Sequence, residues 1–169
     1  MTYSLLVLGG ARSGKSAYSQ QRAEEIDGRL LYVATAQALD EEMAERITRH
    51  RADRDGRWQT IEAPVDLPGA ISAHAAADTV LLVDCLTLWT SNLLLTGEDP
   101  AREQARLVEV VGAAPGAIIL VANEVGLGIV PDNALARRFR DVAGRLNQAV
   151  AATVAEVQFV AAGLPLRLK

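Results

Sequence analysis

The sequence predicts an α/β protein built on a doubly wound, mostly parallel sheet flanked by helices. Two observations carry that prediction. Short apolar runs of strand length recur along the chain with helix-compatible stretches between most of them, the alternation that parallel strands need for their crossovers. The first run also opens into a glycine-rich segment and then into helix-forming composition, a strand-loop-helix unit. A length of 169 residues, 50% of them hydrophobic, suits one domain spanning 1–169 with a sizeable core.

Taken in order, residues 5–8 (Leu-Leu-Val-Leu) form the first buried strand and residues 16–26 the first helix. Residues 30–34 give the second strand. The stretch 39–51 reads as a helix with acids at its start and bases at its end, and Glu42/Arg46 and Glu45/Arg49 have i,i+4 spacing. Residues 57–62 add a short strand and residues 80–85 a strongly apolar one. Pro100 is well placed for the first turn of a further helix. Residues 117–122 form another strand. Asp132-Asn133 then caps the clearest helix, whose apolar stripe is Leu135, Phe139, Val142, Leu146, Ala149 and Val154. Residues 157–161 make the last parallel strand, and the alternating run 164–168 makes an edge strand. There are no repeats, low-complexity tracts or interdomain linkers.

Bulk properties exclude several function classes. A net charge of −4 gives no overall attraction for nucleic acid or anionic membrane, so an anion site has to be built locally. Apolar runs stop well short of the ~18 residues of a membrane span and no basic leader opens the chain, so a cytoplasmic protein is expected. The single cysteine, Cys85, makes no intrachain disulfide and reads as a small core residue rather than a nucleophile.

Residues 9–16, Gly9-Gly10-Ala11-Arg12-Ser13-Gly14-Lys15-Ser16, fit the phosphate-binding pattern G-x-x-x-x-G-K-[ST] at every fixed position. Lys15 is one of two lysines in the chain, the other being Lys169, against fifteen arginines. Backbone N–H groups wrapped at a helix N-terminus face phosphate oxygens, and the helix dipole favours the same negative charge. Gly9 and Gly14 permit the close approach. Lys15 reaches the outer phosphates, and the Ser16 hydroxyl is a ligand for Mg²⁺. The fold class is accordingly P-loop NTPase-like, with ATP or GTP as substrate.

Three further groups bear on chemistry. The run 80–84 ends in Asp84 at a strand's carboxyl end, beside the loop, where it serves Mg²⁺ or else caps the next helix. Asn123 and Glu124 follow a strand and precede a glycine-containing turn, which fits a substrate site or an ordinary turn equally well. His50 lies among Arg46, Arg49, Arg51 and Arg54. By pattern alone it completes an amphipathic stripe, being seven residues after Met43. Its functional alternative is a neutral imidazole that attacks phosphorus while guanidiniums grip the oxygens, nearby positive charge keeping it unprotonated. His74, in an alanine-rich stretch, reads as solvent-facing or structural. A single-activity small-molecule kinase with an incidental His50, or a nucleotide-switch regulatory protein, is also compatible with these residues.

Together these segments resemble the bifunctional adenosylcobinamide kinase/adenosylcobinamide-phosphate guanylyltransferase family of cobalamin biosynthesis. The resemblance rests on residues 9–16, Tyr32-Val33-Ala34-Thr35, Asp40-Glu41-Glu42-Met43, Arg46-Ile47, His50-Arg51, Trp58, Val83-Asp84-Cys85-Leu86-Thr87 and Asn123-Glu124-Val125-Gly126. Gly128-Ile129-Val130-Pro131, Phe139-Arg140-Asp141, Asn147-Gln148 and Ala162-Gly163 continue it in order. It implies phosphorylation of the aminopropanol hydroxyl of adenosylcobinamide, then transfer of GMP from GTP to adenosylcobinamide-phosphate, giving adenosylcobinamide-GDP. It also implies that His50 carries GMP as a phosphoramidate. The remaining implied nucleotide contacts are Ala34, Thr35, Ala36, Arg51, Ala52, Asp53, Arg54, Glu62 and Asp84, and the implied assembly is a homotrimer. Asp55 follows Arg54 where the family often has proline, and Arg49 precedes His50 where some members carry a second histidine. No N-K-x-D motif is present, so the guanine preference comes from the resemblance alone.

Overall fold

The computed structural model describes residues 3–37, 41, 45 and 54–169. Its strands are β1 (Ser4–Gly9), β2 (Arg29–Ala34), β3 (Trp58–Glu62), β4 (Thr79–Asp84), β5 (Ala117–Asn123), β6 (Glu156–Ala161) and β7 (Leu164–Arg167). They form one sheet in the order β3-β2-β4-β5-β1-β6-β7. Every neighbouring pair is parallel except β6–β7, a hairpin closed through Ala162 and Gly163, both at positive φ (51° and 78°). That two-residue connection suits the twist of an antiparallel pair. Each predicted strand is present to within a residue or two.

The helices are α1 (Lys15–Glu24), α2 (Leu67–His74), α3 (Leu86–Thr96), α4 (Pro100–Ala113) and α5 (Ala134–Thr153). Period-two alternation sends Leu5, Val7, Leu30, Tyr32, Val80, Leu82, Ile119 and Val121 to the face that α1 covers through Ala23. Leu6, Leu31, Val33, Leu81, Val83, Ile118 and Leu120 face Leu67, Ile71, Trp89, Leu93, Leu107, Leu146 and Val150 of α2, α3, α4 and α5. With both faces buried, the strands read as unbroken apolar runs in the sequence.

Helix starts follow from capping chemistry. Asp99 accepts from Ala101 N (3.0 Å) ahead of Pro100, and Asn133 accepts from Ala136 N (2.7 Å), as its position before the long helix predicts. The apolar stripe of α5 is corrected at its amino end. Leu135 is exposed and Phe139 half-buried, while Val142, Ala143, Leu146, Asn147 and Val150 make the buried face, so the packed part of α5 starts two turns after its cap. His74 is exposed in the last turn of α2. Of the stretch 39–51 expected to be helical, only Glu41 and Glu45 are described, both helical and exposed. No helix among the described residues is long and apolar enough to cross a membrane.

Candidate active site

Parallel pairing gathers the carboxyl ends of β1 to β5 along one edge. Glu62 lies opposite Ala34, Ala34 opposite Asp84, Asp84 opposite Val121, and Asn123 opposite Gly9. Residues far apart in sequence thereby become neighbours where ligands of such sheets bind. A surface cavity of about 620 Å³ lies at the opposite edge, lined in part by Tyr3, Val111, Thr153 and Lys169, away from these groups.

Two of the three glycines of the phosphate loop, Gly9 and Gly14, have steric or conformational reasons. A Cβ on Gly9 would sit 2.5 Å from Ser13 Oγ and 2.6 Å from the Val160 carbonyl. Gly14 adopts φ 95° as the cap of α1 and offers no side-chain cap bond. The first N–H groups of any α-helix lack intrahelical acceptors, so this uncapped start favours an anion. Lys15 is buried (7% exposed) and donates from Nζ to Gly10 O at 3.0 Å. Ser13 Oγ is buried without a hydrogen-bond partner among the described residues. The β6–β7 turn supports the loop from behind, Gly163 N donating to Ser13 O at 2.7 Å.

Asp84 ends β4 and is half-buried. Tyr32, on the same face two residues before Ala34, donates its hydroxyl to Asp84 Oδ2 at 3.1 Å. Arg54 covers that tyrosine, with Cζ 3.5 Å from the ring centroid. Burial and then the Asp84 carboxylate push the Tyr32 hydroxyl above the usual tyrosine range, Arg54 opposing, so it remains a donor at physiological pH. Trp58 meets the Tyr32 ring edge-on at 6.5 Å and is held by its own Nε1 on Glu24 Oε1 (3.1 Å).

Thr35 secures the peptide after Asp84. It is fully buried, and its Oγ1 donates to Cys85 O (2.7 Å) while accepting from Cys85 N (2.8 Å). Asn92 in turn donates to Thr35 O and Pro64 O, both at 2.8 Å. Cys85 caps α3 with Sγ accepting from Leu88 N at 3.4 Å; burial above all, with Asp84 adding to it, raises the thiol to about 11. It is the inert core cysteine the sequence predicts.

Across the loop, Asn123 N donates to Thr87 Oγ1 (2.7 Å), and Asn147 Nδ2 donates to Asn123 O (3.4 Å). Asn123 Oδ1 is buried and has no partner among the described residues. Glu124 N bonds Gly9 O (3.1 Å), tying this turn to the loop, and Glu124 Oε1 accepts from Gly126 N at 2.5 Å.

Residues 5–168 match the family model described as cobinamide kinase / cobinamide phosphate guanyltransferase. The chain belongs to this family. It is similar to the bifunctional adenosylcobalamin biosynthesis protein CobP of Pseudomonas aeruginosa, with 51% identity covering 97% of this chain and 96% of that one. It is also similar to the bifunctional adenosylcobalamin biosynthesis protein CobU of Salmonella typhimurium, with 43% identity over 98% and 99% of the two chains. Among solved structures, an ATPase of a bacterial type III secretion system shares the fold at TM-score 0.58 and 10% identity, over 98% of this chain and 56% of that one. The cobinamide kinase / guanyltransferase assignment makes the chain an enzyme, a bifunctional transferase of cobalamin biosynthesis on a P-loop NTPase-like fold.

Of the residues singled out in the sequence, the structure brings together 9–16, Ala34, Thr35, Ala36, Glu62, Asp84, Asn123 and Glu124 at one edge, with Arg54 against Tyr32. His50, Arg51, Ala52 and Asp53 lie outside the described residues. No group of three His, Cys, Asp or Glu side chains suited to a metal occurs among the described residues. Ser16 and Asp84 are instead hard oxygen donors of the kind that holds Mg²⁺ jointly with phosphates. The sequence reading missed the roles of Tyr32, Asn92 and Gly163; Tyr32 and Gly163 lie in segments that carry the family resemblance, but no local spacing shows what they hold.

Proposed function

We propose that both reactions use this one edge of the sheet, with His50 carrying GMP between half-reactions. In the kinase step the aminopropanol hydroxyl of adenosylcobinamide attacks the γ-phosphorus of ATP or GTP. A P–O bond forms, the bond to the β-phosphate oxygen breaks, and the nucleoside diphosphate leaves with the hydroxyl proton passing to solvent. The loop N–H groups and Lys15 stabilise the charge on the phosphoryl oxygens. In the second reaction the His50 imidazole attacks the α-phosphorus of GTP and pyrophosphate leaves. A phosphate oxygen of adenosylcobinamide-phosphate then attacks the same phosphorus, the N–P bond breaks, and adenosylcobinamide-GDP forms with the imidazole restored. Mg²⁺ held by Ser16 and Asp84 supplies Lewis-acid charge neutralisation when bound.

The observation that carries this reading is the seating of Arg54, four residues after His50, on a tyrosine that also holds Asp84. It supports a His50 segment that works at the phosphate loop rather than apart from it. Thr35 acts through the Asp84–Cys85 backbone it holds, Ala34, Ala36 and Glu62 border the nucleotide, and Arg51, Ala52 and Asp53 are further nucleotide contacts by family resemblance. Asn123 and Glu124 receive the acceptor substrate. The exposed Leu127 (83%) and Ile129 (97%), just beyond that pair, supply apolar surface for a corrin face or for a neighbour in the homotrimer. The enzyme works in the cytoplasm.

Incubation with α-labelled GTP and Mg²⁺ tests the proposal. Wild-type protein retains an acid-labile, alkali-stable label, and His50→Ala retains none. A wild-type protein that takes up no label overturns the histidine carrier.

A further inference from the structure

Tyr32 uses both of its chemically active parts at once. Its hydroxyl donates to Asp84 Oδ2 at 3.1 Å, and its ring face carries the Arg54 guanidinium at 3.5 Å. The parallel register explains the reach: Tyr32 is opposite Leu82, so Asp84 is its diagonal neighbour two residues further along β4, within range of an aromatic side chain. The ring cannot turn away freely. It is 8% exposed, its edge is set by Trp58, and Trp58 is anchored to Glu24 of α1. A phenylalanine would serve the hydrophobic packing equally well; among the described residues the hydroxyl is explained by its polar neighbours, the Asp84 carboxylate and the Arg54 guanidinium.

We infer that Tyr32 is a positioning residue that couples Arg54 to Asp84 beside the phosphate loop, its ring seating Arg54 while its hydroxyl orients the Asp84 carboxylate. The inference rests on Arg54 and Asp84 being nucleotide-handling groups. Donation to Oδ2 occupies one carboxylate oxygen and fixes the rotation of the other, so Asp84 meets its ligand already oriented. The guanidinium over the ring also bonds the Tyr32 hydroxyl, and with five N–H donors it has others to offer phosphate oxygens. One side chain thus sets the spacing between a cation that follows the histidine and an anion beside the loop.

The test is binding of a fluorescent GTP analogue to the full chain with Mg²⁺ titrated, alongside the rate of GTP labelling and the melting temperature. Tyr32→Phe keeps the platform and loses the donor. It is expected to raise the Mg²⁺ concentration for half-maximal nucleotide binding about tenfold, the scale of one hydrogen bond to a charged group. Tyr32→Leu also removes the platform and is expected to weaken binding a further three- to tenfold, the scale of a cation–π contact. In an Asp84→Asn background, Tyr32→Phe should add nothing, since the two changes act on one interaction. Mg²⁺ dependence unchanged in Tyr32→Phe, while Asp84→Asn and Arg54→Ala both weaken binding, overturns the positioning role and leaves the site intact. Normal binding by Asp84→Asn and Arg54→Ala removes the site reading itself and this inference with it. Lower melting temperatures with unaltered binding by the folded fraction show that Tyr32 is packing only. Should Tyr32→Leu fail to fold, the Tyr32→Phe result decides alone.

Discussion

Thr35→Val separates hydrogen bonding from packing at the point that holds Asp84. Threonine and valine have nearly the same shape, so steric fit is preserved and only the hydroxyl is removed. Two bonds go with it, from Oγ1 to Cys85 O and from Cys85 N to Oγ1. They are not equal losses. Cys85 O keeps a second donor, Trp89 N at 3.2 Å, whereas Cys85 N is left buried and unpaired. An orphaned buried N–H costs about 1–3 kcal/mol and the weakened carbonyl about 0.5–1 kcal/mol, against a gain of about 0.8 kcal/mol for the added apolar group. The net expectation is a loss of about 2 kcal/mol. For a chain of this length that corresponds to a fall in Tm of about 4–8 °C. Thr35→Ser keeps both hydrogen bonds and deletes one methyl, a loss of about 1 kcal/mol. Thermal unfolding followed by circular dichroism should therefore rank wild type above the Thr35→Ser variant and Thr35→Ser above Thr35→Val, with GTP affinity falling in the same order. If the valine variant melts within about 2 °C of wild type, or above the serine variant, the Thr35 hydroxyl is not what secures Cys85.

Gly9→Ala places a Cβ 2.6 Å from the Val160 carbonyl, a backbone atom of β6 that has little room to retreat, so the loop shifts instead. Overpacking of about 1–3 kcal/mol and a roughly tenfold or greater loss of nucleotide affinity by titration calorimetry are expected; unchanged affinity would refute the tight-loop geometry. Asn123→Ala removes an acceptor atom that has no partner among the described residues. Stability should hardly change, while the KM for adenosylcobinamide rises about tenfold with the KM for nucleotide constant, the worth of roughly one hydrogen bond. A lowered Tm with an unaltered acceptor KM would assign Asn123 to the fold alone. The Cys85 thiol, raised from 9.0 to about 11, stays protonated in the folded chain over a range where the unfolded chain ionises. Stability present below pH 9.0 is therefore lost progressively as pH rises toward about 11. Denaturant titrations of wild type and Cys85→Ala across that window should show a shallower decline for the variant, and parallel declines would refute the assignment.

The sequence makes legible whatever its chemistry keeps local. Eight consecutive residues, 9–16, encode the phosphate loop, because a tight turn, a close backbone approach and one cation are all needed within a single strand-helix connection. The strands are legible because burial on both faces removes every polar interruption. The α3 helix has no such pattern: Leu86, Thr87, Trp89, Thr90, Asn92 and Leu93 are all buried, so no polar face marks its period. The amino end of α5 fails for the opposite reason, since its periodicity continues beyond the surface it packs on, leaving Leu135 exposed. Cys85 is readable as core from its apolar run, yet its capping of α3 goes with two bonds from its backbone to the distant Thr35 hydroxyl.

What sequence patterns cannot express is the hold that β2 has on the end of β4. Tyr32 binds the Asp84 side chain across 52 positions of sequence, and Thr35 binds the following peptide across 50. Neither contact leaves a local trace, because tyrosine in a strand and threonine at its end are ordinary choices for β structure. Yet the two grips are complementary, one fixing the carboxylate rotation and the other the backbone that carries it. Together they make the position of Asp84 a property of β2, and Arg54 is seated on that same strand through the Tyr32 ring. Displacement of Arg54 should then reach Asp84 and the phosphate loop by way of Tyr32, a physical link that needs no movement of the sheet.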